Sequence, residues 1–306
     1  MIAKKNKAVS TLVQDFNLLV DEPLKKYTSF KIGGPADLLA MPKDKIELKN
    51  LLKNASTLDI PVTFFGGGTN ILITDKGIRG LVVITRFLKS EIRITRTGLQ
   101  ENSIYVEAGE RLSRLCQFAI QNSLSGLEYA AGIPGTVGGA IMMNAGTSTW
   151  DISEVVESID VLDKTTLTFK TLEKKELHFS YRQLDQPGII VAASLVLIKK
   201  PREEIKKIFT ENLIRKKATQ PVFAASAGCF FKNPTLEKSA GELIEKSGLK
   251  GLRINDAMVS DQHANFIINM GKARCQDIIQ LKQYIQKTVF EKYHIKLESE
   301  VRLEGE

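Results

Sequence analysis

The glycine-rich segment Gly66-Gly67-Gly68-Thr69-Asn70 directly follows a β-like run, Pro61-Val62-Thr63-Phe64-Phe65, and ends in two polar residues. A second segment of this kind lies farther along the chain, Gly132-Ile133-Pro134-Gly135-Thr136-Val137-Gly138-Gly139-Ala140. Successive glycines let backbone N–H groups converge on one point, and they let a phosphate approach without meeting a Cβ atom. Two such segments suit the diphosphate of a dinucleotide cofactor better than a single phosphate.

The two segments do not follow the common nucleotide-binding patterns. Neither contains G-x-G-x-x-G, and G-x-x-x-x-G-K-[ST] occurs nowhere in the sequence, so a Rossmann site and a P-loop are not predicted. A single glycine-rich turn is most often only a turn. Because two of them stand beside apolar runs, we favour phosphate binding over this simpler interpretation.

The composition is that of an ordinary globular protein. Of the 306 residues, 43% are hydrophobic and 25% are charged. The sequence contains no run of the roughly 18 apolar residues that a membrane-spanning helix requires. The lysines near the N-terminus are not followed by the apolar region of a secretory signal. We therefore expect a cytoplasmic protein without a membrane span.

Cysteine and histidine are too few and too scattered to predict a metal site. The sequence contains Cys116, Cys229, Cys275, His178, His263 and His294. They form no C-x-x-C pair and no metal-binding spacing, which suits a reducing compartment. Cys116 falls on the apolar face of a predicted helix, so we expect it to fill the core.

The formal net charge of +8 raises the question of a nucleic-acid partner. Basic residues form only short clusters, such as Lys199-Lys200 and Arg215-Lys216-Lys217, and no long basic run occurs. We therefore expect a solvated surface and no nucleic-acid partner. The charge also suits an anionic small substrate. A monomer is compatible with these features, and the sequence leaves the oligomeric state open.

Apolar periodicity predicts an α+β protein, because helices and strands alternate without the regular rhythm of a doubly wound sheet. Helices are predicted over residues 45–58, 111–122, 202–217, 239–247 and 276–293. Strands are predicted over residues 61–65, 71–73, 81–84, 104–108, 155–162, 189–198, 267–268 and 300–303. The character of the chain changes after Lys199-Lys200-Pro201, where a charged helix begins, so we place a domain boundary there.

Four polar groups of residues are candidates for chemistry. They are Tyr181-Arg182, Gly228-Cys229-Phe230-Phe231-Lys232-Asn233-Pro234, His263-Ala264-Asn265-Phe266, and Glu300 with Arg302. Taken singly, each has a simpler explanation as a surface charge or a packing residue. Together they supply a cation, a weak acid and a carboxylate, which are the groups needed to reduce an activated double bond.

These segments resemble those of a known enzyme family, the UDP-N-acetylenolpyruvoylglucosamine reductases. The segment Thr28-Ser29-Phe30-Lys31-Ile32-Gly33-Gly34-Pro35-Ala36 and the two glycine-rich segments resemble its flavin-binding parts. The four polar groups resemble its substrate-side motifs. The resemblance follows the same order from about Thr28 to the C-terminus, and the short stretch after Arg182 resembles the compact type without an inserted subdomain.

The resemblance implies a fold and a domain division. Residues 1–200 would form an FAD-binding domain of the vanillyl-alcohol-oxidase type with two lobes, at about 20–85 and 86–200. Residues 201–306 would form an α+β substrate-binding domain. The implied FAD ligands are residues of the two glycine segments, namely Gly66, Gly67, Gly68, Thr69, Asn70, Gly132, Ile133, Pro134, Gly135, Thr136, Gly138, Gly139 and Ala140.

The resemblance also implies a reaction, in which non-covalent FAD is reduced by NADPH and the enolpyruvyl ether of UDP-N-acetylglucosamine becomes UDP-N-acetylmuramic acid for peptidoglycan synthesis. Arg182 and Glu300 would stabilise the enolate, and Cys229 would donate a proton. The residues implied to bind substrate are Tyr181, Lys232 and Asn233.

Cys229 departs from the family pattern, in which the proton donor is most often serine. A thiol is a much stronger acid than an alkyl hydroxyl, so proton donation remains reasonable chemistry. The exchange bears on the pH profile and on sensitivity to oxidation.

Two other functions stay open at the level of the sequence. The first is a flavin-dependent oxidase of the same superfamily; no histidine precedes His178, which argues against the histidyl flavin linkage common in that group. The second is a nucleotide-binding or nucleic-acid-binding protein without catalysis, which would be colourless when purified.

Overall fold

The computed structural model describes residues 2–88, 91–147, 149–185, 188–235 and 237–306, and for residues 2–8 it describes the backbone only. Its helices are α1 (Ile2–Asp15), α2 (Lys45–Thr57), α3 (Leu112–Gln121), α4 (Val137–Met142), α5 (Arg202–Thr219), α6 (Ala240–Lys246) and α7 (Cys275–Tyr293). None of the helices in the described part of the chain has both the length and the apolar character that a membrane span requires.

The strands are short except for one of twelve residues in the middle of the chain. They are β1 (Leu19–Pro23), β2 (Pro35–Ala40), β3 (Val62–Phe65), β4 (Ile71–Ile73), β5 (Ile78–Ile84), β6 (Ile92–Thr97), β7 (Glu101–Glu107), β8 (Leu124–Ser125), β9 (Val156–Asp163), β10 (Phe169–Glu173), β11 (His178–Ser180), β12 (Gln183–Asp185), β13 (Gly188–Lys199), β14 (Arg253–Ile254), β15 (Ala257–Val259), β16 (Ile267–Asn269) and β17 (Arg302–Glu304).

The chain divides into two compact units. The first comprises Met1–Leu19, Leu39–Gly67 and Leu81–Lys216. The second comprises Val20–Leu38, Gly68–Gly80 and Lys217–Glu306. The first glycine segment therefore contributes residues to both units, and the second segment lies in the first unit.

An antiparallel sheet organises the first unit, with strand order β10-β9-β13-β7-β6 and β8 paired to β13. Helices α3 and α4 contribute their apolar residues to the core of this sheet, where Leu115, Val137 and Leu195 are fully buried. In the same unit, β3 runs parallel to β5 from Val62, opposite Leu81, to Phe65. This pairing places the glycine segment directly at the carboxyl end of β3.

The second unit is built on short strands and two helices. Strands β14, β15 and β16 form a sheet in that order, and β17 runs parallel to β4. The long helix α7 buries a stripe that includes Ile278, Leu281 and Ile285. These side chains share one core with residues of distant segments, such as Phe30 and Phe231.

The structure confirms the predicted helices to within one or two residues at most ends. Helix α2 begins where Asp44 accepts hydrogen bonds from the N–H groups of Ile46 and Glu47, both at 2.8 Å, as an N-cap residue does. The predicted C-terminal strand begins later than expected, at Arg302. Helices α1 and α4 were not predicted, and α4 begins within the second glycine segment.

Candidate functional site

The start of the first glycine segment, Gly66 and Gly67, lies against the second segment within the first unit. A Cβ atom built on Gly67 would lie 2.9 Å from the Cα atom of Gly135. One built on Gly66 would lie 2.5 Å from the Thr136 Oγ1 atom. Such distances leave no room for a side chain, so glycine is required where the segments meet. The structure thus brings together the two segments that the sequence predicted to act on one ligand.

The second glycine segment is fixed to the junction between β7 and α3 by backbone hydrogen bonds. The Leu112 N–H donates to the Gly135 carbonyl at 3.1 Å, and the Val137 N–H donates to the Glu110 carbonyl at 2.8 Å. The Thr136 Oγ1 atom accepts from the Gly139 N–H at 3.2 Å and caps α4. The segment is therefore held rigidly in place.

The last two glycines of the second segment face different surroundings. A Cβ atom on Gly138 would lie 2.8 Å from the Ala108 Cβ atom, so this glycine allows close packing inside the protein. A Cβ atom built on Gly139 would lie 3.2 Å from the Thr136 Oγ1 atom. Among the described residues, and leaving aside its chain neighbours and the backbone of α4 itself, no other atom would lie within 4 Å of it. Gly139 therefore presents an open side that a ligand can approach.

The first glycine segment is anchored in the second unit at its other end. Gly68 has a φ of +65°, and a Cβ atom there would collide with the Tyr27 carbonyl oxygen. The Ser29 N–H donates to the Gly68 carbonyl at 2.9 Å, and the Ser29 hydroxyl donates to the Ser226 carbonyl at 2.6 Å. No local sequence pattern predicts these contacts of Ser29, because they join residues 39 and 197 positions apart.

The open face at Gly139 leaves space for a ligand beside the two contacting segments, which together we call the glycine cradle. Phosphate oxygens bind N–H groups that converge on one point, and the N–H groups of Val137, Gly138 and Gly139 already donate within the protein. A diphosphate in the cradle would therefore depend on other N–H groups of the two segments. The described residues include no group of three or more histidine, cysteine or acidic residues that could hold a metal ion.

Arg182 lies in the first unit, in the turn between β11 and β12. Its Nη1 atom donates to the Asn144 carbonyl at 3.4 Å, and its Nη2 atom donates to the Gly146 carbonyl at 3.1 Å. Its guanidinium carbon lies 4.9 Å from the centroid of the Tyr181 ring. The backbone of Arg182 has a φ of +60°, which is costly for a residue with a side chain. The turn thus holds this cation in a defined and strained position.

Cys229 and Glu300 are brought onto neighbouring backbone segments of the second unit. The Glu300 N–H donates to the carbonyl of Phe230, the residue after Cys229, at 2.9 Å. An antiparallel bridge between Phe231 and Ser299 continues the pairing. The Asn70 side-chain amide donates to the Glu300 carbonyl at 3.2 Å. Cys229, Glu300 and Asn70 come from separate parts of the sequence. Hydrogen bonds at Phe230 and Glu300 therefore connect the three backbone segments that carry them.

The two predicted substrate ligands that follow Cys229 occupy different surroundings. The half-buried Lys232 pairs its N–H with the Glu298 carbonyl at 2.9 Å. Asn233 is exposed, and its Oδ1 atom accepts from the Ala240 N–H at the start of α6, at 3.1 Å. The Asn233 side chain is thereby oriented by a helix end.

The three cysteines differ sharply in accessibility. Cys116 and Cys275 are buried, and burial raises the pKa of each thiol to about 12. The Cys116 thiol donates to the Leu127 carbonyl at 3.7 Å, which confirms that it fills the core. Cys229 is half-buried.

Two family models match consecutive parts of the chain. Residues 36–171 match an FAD binding domain, and this range includes both glycine segments. Residues 220–304 match the C-terminal domain of UDP-N-acetylenolpyruvoylglucosamine reductase, and this range includes Cys229 and Glu300. The matches confirm the predicted fold, an α+β FAD-binding domain followed by the C-terminal domain of this reductase.

Individual relatives agree with these matches. The chain is 42% identical to the UDP-N-acetylenolpyruvoylglucosamine reductase of Caldanaerobacter subterraneus subsp. tengcongensis, with 96% of each chain covered. It is 40% identical to that of Agathobacter rectalis, with 98% of each covered. The crystal structure of the enzyme from Thermus caldophilus has a TM-score of 0.77 at 35% identity, and the match covers 94% of this chain and 99% of that one. The chain therefore belongs to the UDP-N-acetylenolpyruvoylglucosamine reductase family.

Proposed function

We propose that this chain reduces the enolpyruvyl ether of UDP-N-acetylglucosamine to UDP-N-acetylmuramic acid, in the cytoplasm and as a monomer. The enzyme contains FAD and takes its hydride from NADPH, and its product serves peptidoglycan synthesis. The observation that carries the proposal is the hydrogen bond between the Glu300 N–H and the Phe230 carbonyl. This bond joins the backbone of a carboxylate-bearing residue to that of the residue after the half-buried Cys229, and both lie within the matched reductase domain.

The FAD diphosphate is assigned to the two contacting glycine segments. The residues that would hold it are Gly66, Gly67 and Gly139, together with the other residues of the segments. When bound, FAD supplies a hydride acceptor for NADPH and a hydride donor for the terminal methylene carbon of the enol ether. The domain division that goes with this role gives residues 1–200 to FAD and residues 201–306 to the substrate.

Arg182 is assigned to the developing negative charge of the substrate. Hydride addition at the methylene carbon leaves charge on the neighbouring carbon and on its carboxylate. A guanidinium group oriented beforehand stabilises such charge without reorganising during the reaction. The two carbonyl contacts of Arg182 supply that orientation. A strained backbone at a residue held in this way is typical of functional positions.

Cys229 is assigned as the proton donor, and Glu300 is assigned to stabilise the enolate together with Arg182. The neutral thiol gives its proton to the carbon beside the carboxylate, which completes the lactyl ether. The thiolate that remains then takes a proton from solvent. Tyr181, Lys232 and Asn233 are assigned to substrate binding, where the lysine suits the negative diphosphate.

Separate measurement of the two half-reactions tests this proposal. Arg182→Ala should accept hydride from NADPH within about twofold of the wild-type rate. Its reoxidation by the enolpyruvyl substrate should fall by about a hundredfold, which is the effect of losing one charge-stabilising group. Stopped-flow absorbance of the flavin follows both steps. An Arg182→Ala protein in which both steps slow equally would refute the role.

The absorption spectrum of the purified protein tests the cofactor. Bands near roughly 370 and 450 nm indicate bound flavin, and the colour should leave the protein on denaturation because the FAD is non-covalent. A colourless protein would contradict the proposal, and colour retained after denaturation would point to a covalent flavin.

A further inference from the structure

Asn265 is a buried residue that binds the chain just after Cys229. Its backbone carbonyl accepts from the Phe230 N–H at 2.7 Å. Its side chain holds both polar backbone groups of Phe231: Oδ1 accepts from the N–H at 2.9 Å, and Nδ2 donates to the carbonyl at 2.8 Å. Asn265 therefore makes three hydrogen bonds to two consecutive residues.

The opposite edge of the same segment is paired with the chain around Glu300. The Phe230 carbonyl accepts from the Glu300 N–H at 2.9 Å, and the Lys232 N–H donates to the Glu298 carbonyl at 2.9 Å. Residues 230–232 thus lie like a central strand between two partners. On one edge the partner is the backbone of Glu298 and Glu300. On the other edge the partner is mainly the Asn265 side chain.

Asn265 is itself held in place by the residue two positions before it. The Asn265 N–H donates to the His263 Nδ1 atom at 3.2 Å. Burial, more than any other cause, lowers the pKa of His263, and this favours the neutral ring whose unprotonated Nδ1 can accept that bond. The His263 ring also packs edge-on against Phe266, with the centroids 5.1 Å apart.

We propose that Asn265 is a positioning residue for Cys229 and Glu300, and that it acts through the backbone of Phe230 and Phe231. A primary amide is the side chain that offers both a donor and an acceptor at the spacing of a peptide group. Without the Asn265 side chain, residues 230–232 lose two of the three hydrogen bonds that Asn265 makes to them. The inference rests on the functions proposed for Cys229 and Glu300.

A matched pair of variants tests the inference in the FAD-loaded enzyme. Asn265 and Asn102 are 3% and 4% exposed, and the Asn102 side chain also accepts a backbone N–H, from Gly98 at 3.2 Å. Asn265→Ala should slow flavin reoxidation by the enolpyruvyl substrate about 10- to 100-fold, because a small displacement of a reacting group has such an effect. Flavin reduction by NADPH should stay within about twofold. Asn102→Ala should change neither step by more than about twofold.

A second readout does not depend on turnover. The rate at which iodoacetamide alkylates Cys229 should change at least about threefold in Asn265→Ala and stay constant in Asn102→Ala, because alkylation reports the surroundings of the thiol. If Asn265→Ala does not fold, Asn265→Asp keeps the volume but removes the donor to the Phe231 carbonyl. It should show the same selective slowing.

The outcomes separate this inference from the proposed function. The positioning role would be overturned if the Asn265 variants slowed both half-reactions equally. It would also be overturned if they slowed neither. If Cys229→Ala reoxidises slowly while the Asn265 variants behave like Asn102→Ala, only the positioning role fails. If Cys229→Ala reoxidises at the wild-type rate, the role of Cys229 fails and the inference falls with it.

Discussion

Replacing Asp75 by alanine should destabilise the start of helix α7, which lies 200 positions later in the sequence. The Asp75 carboxylate accepts from the Cys275 N–H at 2.9 Å and from the Gln276 N–H at 3.2 Å. These are N–H groups of the first turn, which a helix cannot satisfy from within. The Asp277 carboxylate accepts from the N–H of Arg274, the N-cap residue, at 2.8 Å, but the Arg274 guanidinium has no acceptor for the N–H groups of the first turn. Asp75 therefore supplies the cap from a distance.

The size of the effect follows from these contacts. Loss of an N-cap side chain costs about 0.5–2 kcal/mol. Asp75 is exposed, so solvent screens its charge and weakens its electrostatic contribution to stability. It nevertheless accepts from two N–H groups of a segment 200 positions away. We therefore expect a loss of about 1 kcal/mol, which corresponds to roughly fivefold faster opening of the first turn of α7.

Native-state hydrogen exchange with peptide resolution measures this loss directly. Amides at the start of α7 should exchange about fivefold faster in Asp75→Ala, with FAD held in constant excess. Asp75→Asn, which keeps an acceptor, should lose about half as much free energy. Asp44→Ala is the reference, because Asp44 caps α2 with two bonds of 2.8 Å. Unchanged exchange in α7, together with faster exchange in α2 of the reference, would refute the reasoning.

The remaining predictions concern the thiols, the glycine cradle and one buried hydroxyl. At neutral pH, iodoacetamide should label Cys229 alone in the folded protein, because burial raises the pKa of Cys116 and Cys275 to about 12; mass spectrometry showing early label on either of those would contradict this. Gly139→Val should fold but copurify with little flavin, as its side chain would extend into the open face; a fully yellow protein would refute the cradle. Ser299→Ala should raise the free energy of unfolding by up to about 1 kcal/mol in denaturant titrations, because the Ser299 Oγ atom is buried without a hydrogen-bond partner. A loss of stability there would show that the hydroxyl is satisfied in solution.

Local patterns in the sequence were sufficient to predict helices α2, α3, α5, α6 and α7 and to single out the glycine segments. The apolar spacing in residues 45–58 matches the buried face of α2, since side chains three and four positions apart share one face. Helix α1 lacked such a signal: lysines interrupt its apolar residues, and among its described side chains Leu12 is buried.

Contacts between distant positions could not be predicted in this way. The bond from Asn70 to Glu300 joins residues 230 positions apart, and the bond from Ser29 to Ser226 joins residues 197 apart. Neither bond produces a periodic pattern in the sequence, because each depends on how separate elements pack in the folded protein. The sequence also does not show which atoms surround each glycine. Only the structure shows that Gly138 packs against Ala108 and that Gly139 does not.

Flavin reoxidation in Cys229→Ala is the most direct test of the central claim, that this reductase uses the Cys229 thiol as its proton donor. The enzyme is first reduced with NADPH and then mixed with the enolpyruvyl substrate in a stopped-flow instrument. Reduction should match the wild type, and reoxidation should fall by about a hundredfold to ten-thousandfold, as on loss of a positioned general acid. Cys229→Ser should recover much of the rate. Reoxidation of Cys229→Ala at the wild-type rate would contradict the claim.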